Sequence, residues 1–215
     1  SKSILIVVDT HKKGYCEVPE LIDKTEKIVI IDHHRRGEDF IDNAILTFHE
    51  VYASSAAELV TEIIEYSSKN ITLAQIEAES LYAGIMMDTK NFTFKTGVRT
   101  FEAAAYLRTA GVDTLHVKKL FRESIDNYKL KACIVTEAQL YGDNIAISLF
   151  SGVVPHVIIA EAADEMLEIN DIKASFVVAR AEDGTVIVSG RSLGEVNVQV
   201  ILEKLGGGGH MMTAG

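Results

Sequence analysis

Cysteine is scarce in this sequence: 215 residues contain two, Cys16 and Cys133, and no CxxC pair. That excludes a disulfide framework and a thiolate metal cluster, and makes reduced thiols of a cytosolic compartment the default. Long apolar runs are missing too. None approaches the ~18 residues of a spanning helix. Positive charge is in deficit, with 21 Lys and Arg against 31 Asp and Glu and a formal net charge of -10. Non-specific binding to duplex DNA depends on basic residues that displace counterions, so duplex DNA is not an expected partner. No internal repeat or low-complexity linker is present. The opening SKSILIVVDT reads as a strand and not as a signal peptide. That abrupt start, and the glycine-rich GGGGHMMTAG at the other end, read as cuts in a longer chain.

An apolar fraction of 47% is enough for a real core. The length suits one large domain or two modest ones at about 100–200 residues each. Ile4 to Val8 is a continuous apolar run that closes on Asp9, and Ile28 to Ile31 repeats the design and closes on Asp32. Short β-branched runs of this kind suit parallel strands buried on both faces, with chemistry at their carboxyl ends. Between them, Pro19 can open a short helix through Asp23.

Helices are expected after Ser54 or Ser55, with Ala56, Val60, Ile63 and Ile64 on one face, and after Thr72, Thr100 and Asp113. A longer one is expected over 124–139. Beyond it the pattern changes. Asn144 to Leu149 alternates as a strand, 155–167 reads as a helix, and two strands flank the turn Glu182-Asp183-Gly184. A closing helix is expected over 196–205. The expected fold class is therefore α/β: a parallel-sheet domain over 1–123, a helical connector over 124–139, and a smaller mixed-sheet domain over 140–215.

Four features carry chemistry. They are Asp9 in VVDTHKKGYCE, Asp32-His33-His34 in IIDHHRR, Asp88 in GIMMDTKNFTF, and the pair SGRS (Ser189 to Ser192) with GGGGH (Gly206 to His210). Each has a bland reading. An Asp after an apolar strand is common, a core histidine can bond a carbonyl, and a glycine run is often a flexible linker. Asp88 ends a helical pattern, where its charge opposes the negative helix end; a bound cation would remove that penalty. Taken together, carboxylates and imidazoles without thiolate favour a hard or borderline ion, with histidine tilting the choice to manganese and magnesium or cobalt as alternatives. A pair of such ions can activate water and stabilise the attacking and leaving oxygens of a phosphate. The glycines can bring backbone N–H groups close to a phosphate, and Arg191 can contact a phosphate or stack on a base.

In order and wording, these motifs resemble the DHH phosphoesterase superfamily with its DHH-associated C-terminal domain, and within it the GdpP-type cyclic di-AMP phosphodiesterases. VVDTHKKGYCE, IDHHRRGEDFI, ASSAAELVTEII, GIMMDTKNFTFKTGVRTFEAAAYLR, SGRS and GGGGH fall in family order, and DTKNFTFKTG is the most specific of them. The resemblance implies that Asp9 bridges two metal ions, that His33 and Asp88 ligate one of them, and that Asp32 orients the triplet. It implies that His34 sits by the scissile phosphate, with Asp32 and His34 as the catalytic pair. It assigns Arg191, Ser189, Gly207, Gly208, Gly209, His210 and Asn91 to substrate, with Arg99 also facing the cleft. The family's earlier segment, a His followed by two Asp, has no counterpart before Asp9, so three ligands are expected outside this sequence.

The activity implied is manganese-dependent hydrolysis of cyclic di-AMP to linear pApA. The alternatives are a nanoRNase-like hydrolase of short oligonucleotides and a non-catalytic nucleotide-binding module. A homodimer is compatible with this reading. The resemblance further implies upstream membrane and sensory domains, with this part in the cytoplasm.

Overall fold

The computed structural model describes residues 3–37, 39–69 and 71–215. The chain divides into two compact units, Ser1–Arg122 and Glu123–Gly215.

In the first unit, β1 (Leu5–Val8), β2 (Ile28–Asp32) and β3 (Leu46–His49) form an all-parallel sheet in the order β1-β2-β3. The central strand is covered on both faces, as an uninterrupted Ile and Val run requires. Ile28 and Ile30 pack with Val7, Ile22 and Ile41, Ile22 coming from the short helix α1 (Glu20–Lys24). Ile31 packs on the opposite face with Ala53 and Leu59. Leu59 belongs to α2 (Ala56–Glu65), whose N-terminus is capped by Ser55 accepting from the Glu58 amide. The covered face of α2 differs from the expected one. Glu58 is held inside by the Ser54 hydroxyl, which donates to its carboxylate at 2.5 Å. Leu59 is thereby turned inward, and Ile63 is 44% exposed.

Helices α3 (Gln75–Asp88), α4 (Val98–Thr109) and α5 (Thr114–Leu120) share a second core around Ala78, Ile85, Ala103, Leu107 and Val117. Two helix starts differ from expectation for one reason. Glu77 and Thr100 lie in the third helical position and reach back to accept from the Ala74 and Gly97 amides, at 2.7 and 3.1 Å. A side chain that reaches back in this way puts the recognisable residue inside the helix, since Ala74 and Gly97 have no side-chain acceptor of their own. Thr100 is therefore inside α4 and Thr72 lies ahead of α3, while Asp113 caps α5 as expected by accepting from the Leu115 amide.

The second unit opens with α6 (Ile125–Thr136), capped by Ser124. This helix, read from sequence as a connector, buries Ile134 in the second unit's core beside α7 (His156–Met166). The helix ends at Thr136, short of its expected end at 139, and is followed by β4 (Gln139–Tyr141). With β5 (Ile145–Val153), β6 (Ala174–Arg180), β7 (Val186–Ser192), β8 (Gly209–His210) and β9 (Thr213–Ala214) it forms a mixed sheet in the order β4-β5-β6-β7-β9-β8. Only β5 and β6 pair parallel. Helices α6 and α7 cover one face, and α8 (Val198–Glu203) packs Val198 and Leu202 on the other. The α/β class expected from sequence holds. Among the described residues, no helix is long and apolar enough to cross a membrane.

Candidate metal centre

In a parallel sheet the loops that follow the strands gather at one edge. Asp9 follows β1, Asp32 closes β2 with His33 and His34 behind it, and His49 closes β3. Asp9 has φ 63° while its amide still donates to the Ile31 carbonyl. Left-handed backbone is disfavoured for residues with a Cβ but is tolerated by Asp, and such positions concentrate at functional sites.

Asp88 arrives from a separate element, the last residue of α3. After it the chain makes a left-handed turn, with Lys90, Asn91 and Phe92 all at positive φ. Thr89 organises this turn. Its hydroxyl donates to the Ile85 carbonyl at 2.6 Å and accepts from the Phe92 amide at 2.9 Å. The Phe92 ring is anchored between Tyr82 and Phe101.

These elements bring three of the expected groups together. His33 Nε2 lies 3.3 Å from Asp9 Oδ1 and 3.7 Å from Asp88 Oδ2. Ligand atoms of Asp9, His33 and His34 all lie within 4.8 Å of one another. Among the described residues, His33 Nε2 is the one buried side-chain nitrogen or oxygen that makes no hydrogen bond. Leaving such an atom unpaired costs about 1–3 kcal/mol. A cation between His33, Asp9 and Asp88 satisfies it, so the donor set fits a divalent metal ion. Burial pushes the Asp88 carboxyl up; His33 opposes this and the neighbouring Asp9 adds to it.

Asp32 is fully buried. Its Oδ1 accepts from the His33 amide at 2.8 Å, from the His34 amide at 3.3 Å and from His34 Nδ1 at 2.8 Å. Its Oδ2 accepts from His11 Nδ1. Burial is the strongest influence on this carboxyl and pushes it up. The hydrogen bonds from His11 and His34 together outweigh it, holding the group below the usual carboxylate range. His11 carried no expectation from sequence, since a lone His in a polar loop gives no signal and its partner is 21 positions away. His49 was missed in the same way; its Nε2 donates to the His34 carbonyl.

The residues assigned to substrate divide between the units. Asn91 is exposed on the left-handed turn. Arg99 is held in a bidentate pair with Glu62, at 2.7 and 2.6 Å, which ties α4 to α2. In the second unit Arg191 is largely buried. Its Nε donates to Asp164 at 3.1 Å and one terminal nitrogen donates to Ser189 at 2.9 Å.

The glycines of the GGGGH loop have a local structural reason. A Cβ at Gly207 would lie 2.6 Å from the Gly215 carbonyl, and one at Gly209 would lie 2.5 Å from that of Thr213. Gly208 and Gly215 exchange both backbone hydrogen bonds at 2.9 Å. The Gly208 amide is therefore directed at Gly215. His210 is exposed at the end of the loop.

The N-terminal domain of the DHH family matches residues 1–85, and the DHHA1 domain matches residues 142–215. The cyclic-di-AMP phosphodiesterase GdpP of Bacillus subtilis is 49% identical over 216 residues, covering 99% of this chain and 33% of its own length. The cyclic-di-AMP phosphodiesterase PdeA of Listeria monocytogenes is 46% identical over 215 residues, with coverage of 99% and 33%. The chain thus spans about a third of the length of these curated relatives. A solved exopolyphosphatase-related protein from Bacteroides fragilis superposes with a TM-score of 0.85 at 20% identity, over 97% of this chain and 65% of its own, and shares the fold.

Proposed function

Since this chain belongs to the DHH family and carries a DHHA1 domain after its DHH domain, we propose that it is a metal-dependent phosphodiesterase that opens cyclic di-AMP to linear pApA. The observation that carries the reading is the unpaired, buried His33 Nε2 between the carboxylates of Asp9 and Asp88. The named activity of relatives sharing about half of its residues supplies the substrate.

Asp9, His33 and Asp88 would hold the ion. Their oxygen and imidazole donors suit manganese, with magnesium or cobalt as alternatives. When bound, the ion supplies Lewis-acid stabilisation of phosphoryl charge and activation of water. The rest falls to side chains. Asp32 fixes the two histidines through their amides and through His34 Nδ1. A carboxylate can only accept, so His34 donates through Nδ1. In the reaction a water oxygen bonds to phosphorus, the bond to the ribose 3′-oxygen breaks, and that oxygen takes a proton. His34 is the group proposed to donate there, which it can do only as the imidazolium, with a proton on Nε2 as well as on Nδ1. Arg191, Ser189, the 207–210 loop and Asn91 are the residues proposed to hold the remainder of the dinucleotide.

The test is turnover of cyclic di-AMP with manganese by the chain joined to the family's upstream His-Asp-Asp segment. Release of pApA, abolished by His33→Ala, is expected. No release with a correctly folded protein would overturn the activity. Preferential cleavage of linear pApA in a competition assay would transfer the assignment to short oligonucleotides.

A further inference from the structure

The metal-centre reading does not account for His11, a buried residue in the loop after β1. Its ring is fully committed. The Gly37 amide donates to Nε2 at 3.1 Å, and Nδ1 meets Asp32 Oδ2. A backbone amide can only donate, so Nε2 must carry the lone pair. A neutral imidazole has a single N–H, which therefore sits on Nδ1 and points at Asp32.

Asp32 in turn divides its two oxygens. Oδ1 receives the two histidine amides and His34 Nδ1. Among the described residues, His11 is the partner that Oδ2 has. His11 and His34 thus flank one buried carboxylate from opposite sides. The first is locked by main chain, and the second bonds the carboxylate through Nδ1. Asp32, His11 and His49 are also close enough to suggest a second cation site. Both His11 nitrogens and both Asp32 oxygens are already hydrogen-bonded, and the His49 Nε2 donates to the His34 carbonyl. The cluster is a hydrogen-bonded support.

We infer that His11 is a positioning residue for the metal centre, which fixes the orientation of Asp32, and through it of His33 and His34, by a tautomer that the Gly37 amide enforces. The inference rests on the metal-centre reading for its consequence but not for its first test. Outer-shell partners of this kind change metal affinity by about 10- to 100-fold when removed.

The first measurement is nitrogen-15 NMR of the histidine rings in the metal-free 215-residue chain at neutral pH. His11 is expected as the Nδ1–H tautomer. The Nε2–H form or an imidazolium would overturn the inference, whatever the metal does. The second is manganese affinity by calorimetry, with parent and variants all joined to the family's upstream His-Asp-Asp segment. His11→Leu is expected to weaken binding at least tenfold and to shift the His34 ring away from its Nδ1–H form. His11→Asn keeps an N–H where Nδ1 stood and is expected to stay within about threefold of the parent. Equal affinity of the Leu variant with an unchanged His34 ring, or an Asn variant as impaired as the Leu one, would overturn the positioning role. If the parent chain binds no manganese while His11 shows the expected tautomer, the metal reading fails and the hydrogen-bonded support stands.

Discussion

At the scale of single residues, the site separates groups that face a cation from groups that hold them. His33 is the first kind. Its Nε2 makes no hydrogen bond, so His33→Ala should leave the fold largely intact and abolish manganese binding. The loss should exceed the about 10- to 100-fold typical of outer-shell partners. Calorimetry together with a thermal melt would reveal both effects, and retained binding would remove His33 from the ligand set.

Glu79 offers a test away from the metal. Burial, the largest influence, pushes its carboxyl up. Hydrogen bonds from Gln75 and the Asp113 amide, with the nearby His116, outweigh it and hold the group below the usual glutamate range. A carboxyl depressed in the folded state stabilises above its unfolded value and loses that contribution as pH falls through the folded one. Melting temperature should therefore decline more steeply below the ordinary glutamate range in the parent than in Glu79→Gln. Parallel curves would show that the contacts do not couple to folding.

At the scale of elements, the turn after α3 decides where Asp88 sits. Thr89→Val keeps the shape but removes the hydroxyl that serves both the Ile85 carbonyl and the Phe92 amide. A loss of about 1–3 kcal/mol is expected in denaturant melts, with weaker manganese binding because Asp88 immediately precedes the altered residue. Unchanged stability would mean that the aromatic anchoring of Phe92 alone sets the left-handed turn.

The same scale shows what the sequence made legible. The two strands ending in Asp9 and Asp32 were readable because burial on both faces leaves an unbroken apolar run. Residues 46–49 were not, because Leu46 and Thr47 are exposed on an edge strand and its apolar content is low. β4, three exposed residues long, begins at Gln139, where the expected helix was to end, and carries too little pattern to be read. The residues proposed to face a metal stood out through their motifs. His11 and His49 did not, since contacts across 21 and 15 positions leave no periodic trace.

At the scale of the whole molecule, the chain builds separate hydrophobic cores on either side of residue 122. The second unit has its own capped first helix, a six-stranded sheet and helices on both faces. Residues 123–215 expressed alone should therefore fold, giving a dispersed amide spectrum and a single cooperative melt. A collapsed spectrum would show that its sheet needs the first unit. Such a fragment would also let nucleotide binding by Arg191 and the 207–210 loop be measured without the metal-facing residues.

One consequence of the Gly37 contact reaches beyond the experiments. The donor that dictates where the His11 ring keeps its hydrogen is part of the peptide chain itself. Side chains nearby can drift without resetting that choice, because almost every amino acid supplies the same amide; proline alone at position 37 would erase it. The reactive edge of the protein thus takes part of its order from a group that ordinary substitution cannot reach.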